Sequence, residues 1–235
     1  MSNMVAGVVI ATALLGLGGC GSGEPSAPVT SAPVTFASVR PTKVTKLLVF
    51  VVENHSLDQM RAAMPYTTAV VKQYADATNY RAVTHPSLPN YLAMTGGSTF
   101  GVADDAPPSS HTTDQPSVFG QALSVGRTAK VYAEGMPGNC ATEDSGQYAV
   151  KHNPWAYYRR ERSSCARYDV PVTELRGDVA SGRLPNAGMV VPDLCNDAHN
   201  CDLSAADDWL RTEIEAVMAG PDWLAGHLRD RGHRR

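Results

Sequence analysis

Lys46-Leu47-Leu48-Val49-Phe50-Val51-Val52 is a continuous apolar run without polar alternation, and it stops abruptly at Glu53-Asn54-His55-Ser56. Such a run predicts a strand buried on both faces, as in a parallel sheet covered by helices. Residues 57–64 and 66–76 carry helical spacing and are split by Pro65, which ends one helix and suits the start of the next. Residues 89–94 predict a helix with Pro89 in its first position, closing at Gly96-Gly97. Residues 98–116, rich in Asp, Pro and Ser, read as a loop, 117–124 as a helix and 129–133 as a short strand. Residues 135–169 have little period and predict a long excursion; 188–192 is a second buried strand, ending at Asp193. The clearest amphipathic helix is 204–218, with Ala205, Trp209, Ile214, Val217 and Met218 near one face. Strands alternating with helices predict an α/β sandwich. Ligands of such folds bind beyond the carboxyl ends of the strands, where Glu53, Asn54 and residues 193–199 fall.

The N-terminus follows a different pattern. Residues 5–17 are an apolar run of signal-peptide length, too short for a comfortable membrane span. They end in Leu17-Gly18-Gly19-Cys20, which resembles a lipobox, although no Lys or Arg precedes the run. Lipidation at Cys20 is the expectation, with a plain secretory signal as the alternative. Ser-Ala-Pro-Val-Thr then occurs twice, at 26–30 and 31–35, within a Pro/Ser/Thr-rich stretch that reads as a tether. The organisation expected is a signal peptide at 1–20, a linker at 21–43, a catalytic domain at 44–226 and a basic tail at 227–235.

The sequence is 43% hydrophobic and 18% charged, enough to build a core and too apolar for general disorder. Its net charge of −3 provides no basic field, which argues against a nucleic-acid partner. Export implies an oxidising compartment. With Cys20 acylated, Cys140, Cys165, Cys195 and Cys201 allow three pairings. The expected one joins Cys195 to Cys201 in a tight local loop and Cys140 to Cys165 in a wider one. A zinc site is the alternative, though no Cys-x-x-Cys occurs.

Several polar residues carry candidate chemistry. Glu53 and Asn54, directly after a buried strand, can chelate a cation or merely form a turn. Ser87 is placed at or just before a helix N-cap, where N–H groups and the helix dipole favour an anion. It is either an ordinary cap or a hydroxyl poised to attack phosphorus, with Asn90 near the phosphate oxygens. His152, in Lys151-His152-Asn153-Pro154, is a surface turn or a donor to phosphate or leaving group. Asp197 and His199 sit two apart inside the small cysteine loop and can converge on one site. Asp193, Asn196, Asn200, Asp202 and Asp207 crowd the same stretch, but neither spacing nor a central glycine matches an EF-hand. No G-x-S-x-G elbow surrounds any serine, which disfavours a Ser-His-Asp esterase.

In order, the chain contains Glu53-Asn54-His55-Ser56-x-Asp58, Thr84-His85-Pro86-Ser87-x-Pro89-Asn90-Tyr91, Lys151-His152-Asn153-Pro154, Pro192-Asp193-Leu194-Cys195-Asn196-Asp197-x-His199-x-Cys201 and Asp208-Trp209-Leu210. Together, over about residues 45–225, these resemble the phosphoesterase family of bacterial acid phosphatases and phospholipase C-type enzymes, within the alkaline phosphatase superfamily. The resemblance implies a three-layer α/β/α sandwich on a mostly parallel sheet, and metal-dependent phosphoryl transfer through a phospho-serine. It implies Glu53 and Asn54 as ligands of a divalent metal ion and Ser87 as nucleophile. His152 and His199 would act on phosphate or leaving group, Asp197 would orient His199 or complete the metal shell, and His85 and Asn90 would contact substrate. The expected protein is an extracytoplasmic hydrolase of phosphate esters, held to the membrane by an N-terminal lipid. Monoesters are favoured over diesters; an inactive phosphate-binding lipoprotein is the alternative from another class.

The family pattern also leads one to expect a further strand ending in an acidic pair after Gly220-Pro221-Asp222-Trp223. The chain continues instead as His227-Leu-Arg-Asp-Arg-Gly-His-Arg-Arg235. Back-translated with GC-rich codons and read one base later, this tail becomes Thr-Cys-Val-Ile-Val-Val-Thr-Ala. That is a buried-strand pattern, so a frameshift near Gly226 with the last strand lost is the expectation.

Overall fold

The computed structural model describes residues 44–228. The signal-peptide, tether and Cys20 expectations fall outside these residues, as does the tail from 229 onward. Among the described residues, four strands form one all-parallel sheet in the order β1-β4-β2-β3: β1 (Leu47–Phe50), β2 (Ala129–Ala133), β3 (Asp169–Pro171) and β4 (Ala187–Val191). Leu47 pairs with Ala187, Ala129 also with Ala187, and Val131 with Asp169.

Side chains alternate between two cores, which explains why the strands read as continuous apolar runs. Val49, Val51, Val131, Ala133, Met189 and Val191 pack on one face. There they meet Leu88, Tyr91 and Leu92 of α3 (Ser87–Gly96) and Phe119 of α4 (Val118–Ser124). Leu48, Phe50, Tyr132 and Val190 pack on the other. Their partners are Leu175 and Val179 of α6 (Leu175–Ala180) and Val217 of α7 (Leu203–Ala219). The layers are therefore α/β/α, as expected. A third cluster joins Val52 to Met64, Ala198, Leu203, Ala206 and Leu210 at the end of β1.

Helices α1 (Leu57–Ala63) and α2 (Pro65–Gln73) are split at Pro65 as predicted, and Gly97 closes α3 in the left-handed conformation at φ 75°. Three expectations need correction. The first strand pairs only over Leu47–Phe50, because Val51 and Val52 run on, buried, toward residues 193–199; the Glu53 N–H donates to the Asp197 carbonyl at 2.8 Å. Helix α3 begins at Ser87 with Pro86 as its cap residue, so Pro89 is third, not first. The region expected to be an irregular excursion contains 3₁₀ turns, α5 (Arg162–Tyr168) and the start of β3; α6 and α8 (Pro221–Ala225) were not anticipated. These elements are too short to show a period.

Both expected disulfides form, Cys140–Cys165 and Cys195–Cys201. Their sulfurs are thereby removed from any zinc site. At the C-terminal end, the His227 carbonyl accepts from Thr45 and Lys46 N–H groups at 3.0 and 3.1 Å, and Leu228 packs beside the second core. Among the described residues no helix is long and apolar enough to cross a membrane.

Candidate active site

The carboxyl ends of β1 and β4, the N-terminus of α3 and the turn at residues 150–153 meet at one point. Glu53 arrives from β1 and is 1% exposed. Its two carboxylate oxygens accept from the Ser87 hydroxyl at 3.1 and 3.0 Å. As first residue of α3, Ser87 does not cap its own helix; its hydroxyl is left for Glu53. The helix amide that follows, Leu88 N–H, donates instead to Asp105 at 2.9 Å.

His152 is buried between two carboxylates. Its Nε2 meets Glu53 Oε1, and its Nδ1 lies 2.9 Å from Asp197 Oδ2. The angles are not those of directed hydrogen bonds, so these contacts are ionic. Burial alone would lower the His152 pKa, but the Asp197 and Glu53 carboxylates outweigh it and push it up to about 9. Burial likewise opposes ionisation of Glu53, yet the His152 imidazole and the Ser87 hydroxyl prevail and hold its carboxyl below the usual range. Tyr91, one turn along α3 from Ser87, lies flat on His152 with ring centroids 5.0 Å apart at 12°.

The loop after β4 is shaped by its own polar groups. Asp193 accepts from the Cys195 and Asn196 N–H groups, both at 2.9 Å. Glu134, at the end of β2, accepts from Asp193 N–H, the Asn196 amide and the Trp209 indole. Ala198 is held at φ 69°, and the Asp197 side chain accepts from His199 N–H at 2.7 Å. His199 Nδ1 lies 2.8 Å from Asn200 Oδ1. That oxygen only accepts, so Nδ1 carries a proton. Lys151 Nζ sits 3.4 Å from His199 Nε2.

Ser87, Glu53, His152, Asp197 and His199 therefore converge as the sequence suggested. Three other candidates are placed differently. Asn90 spends its amide on the backbone, accepting from Val83 and Thr84 N–H and donating to the Thr84 and Pro86 carbonyls. His85 and Asn54 are exposed, on the loop before α3 and the bend after Glu53. The acidic crowd also disperses, since Asp207 points away to cap α2. Lys151, Asp105, Glu134 and Tyr91 were not singled out from sequence. Lys151 and Tyr91 stood inside quoted motifs; Asp105 and Glu134 carried no local signal.

Potential donor atoms of Glu53, His152 and His199 lie within 4.8 Å of one another. One carboxylate and two imidazoles suit a borderline divalent ion. Asp197 Oδ2 is buried without a directed hydrogen bond beside them, so the enclosure has negative charge to offer. The residues present fit a divalent cation.

A profile of the Phosphoesterase family matches residues 58–226, more than half of the 235-residue chain. The chain is 30% identical over 183 residues to a phosphatidylinositol-3-phosphatase of Mycobacterium tuberculosis, covering 77% of this chain and 60% of that protein. It is 30% identical over 154 residues to an acid phosphatase of Aspergillus fumigatus, covering 60% of this chain and 34% of that protein. A probable acid phosphatase of Kluyveromyces lactis is 27% identical over 204 residues, which cover 83% of this chain and 48% of the yeast protein. The chain thus spans less than two thirds of the length of each of these relatives. With the motif order, the all-parallel sandwich and this match in agreement, the chain belongs to the phosphoesterase family.

Proposed function

We propose that this chain hydrolyses phosphate monoesters as an acid phosphatase does, with Ser87 as the nucleophile and a divalent metal ion in the cluster around Glu53. The observation that carries the reading is the Ser87 hydroxyl donating to a buried carboxylate held ionised by an imidazole. The hydroxyl proton passes to Glu53 as Oγ bonds to phosphorus and the bond to the leaving alcohol breaks. The leaving oxygen takes up a proton from solvent; water then attacks phosphorus and gives its proton to solvent, the bond from phosphorus to Oγ breaks to release phosphate, and Glu53 returns its proton to Oγ to restore Ser87. His152, charged and enclosed, stabilises developing negative charge, while Asp197 fixes both histidines. Glu53 and His199 are the residues that would hold the metal, with Asn54 adjacent; His152 would join them only on giving up its proton. When bound, the ion neutralises phosphate charge and lowers the hydroxyl pKa.

The two disulfides support an extracytoplasmic site of action. The organisation we propose is a signal peptide at 1–20 lipidated at Cys20, a tether at 21–43 and the phosphoesterase domain from 44. The test is Ser87→Ala. Loss of p-nitrophenyl phosphate hydrolysis by about 10³-fold or more, with unchanged circular dichroism, is the expected result. Equal hydrolysis by both forms would remove Ser87 from the mechanism, and none by either would favour a phosphate-binding protein.

A further inference from the structure

Lys151 stands at a junction that the proposed mechanism leaves unused. Its ammonium ion-pairs with Asp105 Oδ2 at 3.1 Å and lies 3.4 Å from His199 Nε2. The other oxygen of Asp105, Oδ1, accepts the Leu88 N–H at 2.9 Å. One carboxylate thus ties the ammonium to the turn of α3 that begins with Ser87. The Lys151 side chain is 21% exposed and that of Asp105 28%, whereas His152 and Glu53 are sealed at 1% and 0%. Lys151 therefore presents positive charge from the open side of the cluster.

The charges make this position informative. Glu53, Asp197 and Asp105 are carboxylates around a cluster in which His152 supplies one buried positive charge. A phosphate monoester brings up to two further negative charges. A solvent-accessible ammonium with three donors can reach its oxygens while keeping a bond to Asp105.

We propose that Lys151 is a binding residue for the non-bridging oxygens of a tetrahedral phosphate, and that Asp105 is the positioning residue that holds it beside His199. The inference rests on the phosphatase reading but is tested apart from it. Lys151→Met, Lys151→Arg and Asp105→Asn are compared with the wild-type full chain by two measurements. One is titration with inorganic phosphate followed by amide chemical shifts; the other is the kinetics of p-nitrophenyl phosphate hydrolysis. Lys151→Met is expected to weaken phosphate binding and raise KM by about tenfold to a hundredfold, with a smaller change in kcat. Lys151→Arg keeps both within about threefold, because it retains charge and donors. Asp105→Asn can still accept the Leu88 N–H but loses the ion pair, and raises KM by a smaller factor than Lys151→Met.

If phosphate affinity and KM are unchanged in Lys151→Met while Ser87→Ala is inactive, this inference falls and the phosphatase reading stands. If the wild type does not hydrolyse the ester but binds phosphate in a Lys151-dependent way, the phosphatase reading falls and the inference stands. An unchanged or lower KM in Asp105→Asn would overturn the positioning role. Should Lys151→Met fail to fold, Lys151→Gln keeps a polar stem and carries the same test.

Discussion

Asp169 is a carboxyl group in a place that penalises its charge. It is fully buried, and burial, against one opposing hydrogen bond from Asn153 at 2.8 Å, pushes its pKa up to about 7. Asp169 Oδ1 is buried without a hydrogen-bond partner, so a charge on this carboxyl is supported on one oxygen only. The folded pKa lies above the ordinary carboxylate value of 3.8. The folded state therefore holds a proton that the unfolded state has lost between about pH 4 and pH 7. This group's contribution is most favourable below that window and declines as pH rises through it, by about 1.4 kcal/mol per pH unit. Asp169→Asn, which carries an N–H₂ at that position, should flatten the decline. Urea unfolding at pH 4.5 and 7.5 should show the variant gaining on wild type at the higher pH. An identical pH slope in both proteins would rule out this account.

Helix α2 shows how one element is finished by another. Its own cap residue, Met64, makes no side-chain hydrogen bond, and Pro65 opens the helix. The next two amides, Tyr66 and Thr67, both donate at 2.8 Å to Asp207, a 2% exposed residue of α7, and the Thr67 hydroxyl adds a bond at 2.7 Å. A carboxylate there also meets the positive end of the α2 dipole. Asp207→Ala is expected to lower stability by about 2 kcal/mol, and Asp207→Asn by about half as much because one acceptor remains. Equilibrium denaturation of the three proteins decides this. Since Asp207 faces away from Ser87 and His199, turnover at low temperature should hardly change.

Across the molecule, the two disulfides divide stability from site geometry. Cys140–Cys165 closes a span of 25 residues and Cys195–Cys201 one of 6. In a chain-entropy account the wider loop contributes about 3.5 kcal/mol and the tighter one about 2 kcal/mol. The tighter one encloses Asp197 and His199, however, and so shapes the site. A Cys140→Ser/Cys165→Ser double variant should therefore melt about 10 °C below wild type, and a Cys195→Ser/Cys201→Ser one about 6 °C below it. Phosphate ester turnover should fall more in the second. Calorimetry alongside kinetics checks both orders, and a single variant leading in both would refute the division.

What the amino-acid order determined by itself was local or patterned. The run ending at Val52 dictated a strand, but not a doubly buried one: β1 lies at the edge of the sheet with Leu47 exposed, and only Val51 and Val52 beyond it are fully buried. Pro65 and Gly97 punctuated helices through backbone constraints that hold in any fold. The spaced motifs pointed to Ser87, Glu53, His152, Asp197 and His199, and the local reading of the cysteines pointed to their pairing. Tertiary structure decided what those residues do. Pro89 looked like a helix start, but Asp105 holds the Leu88 amide and the helix begins at Ser87, freeing its hydroxyl for Glu53. Asn90 looked like a ligand for phosphate and instead ties down residues 83–86. Asp105 and Lys151 are 46 residues apart, and Tyr66 and Asp207 are 141. No local spacing encodes such pairs; they exist only because the sheet gathers distant loops at the carboxyl ends of its strands, where buried charges find their counterions.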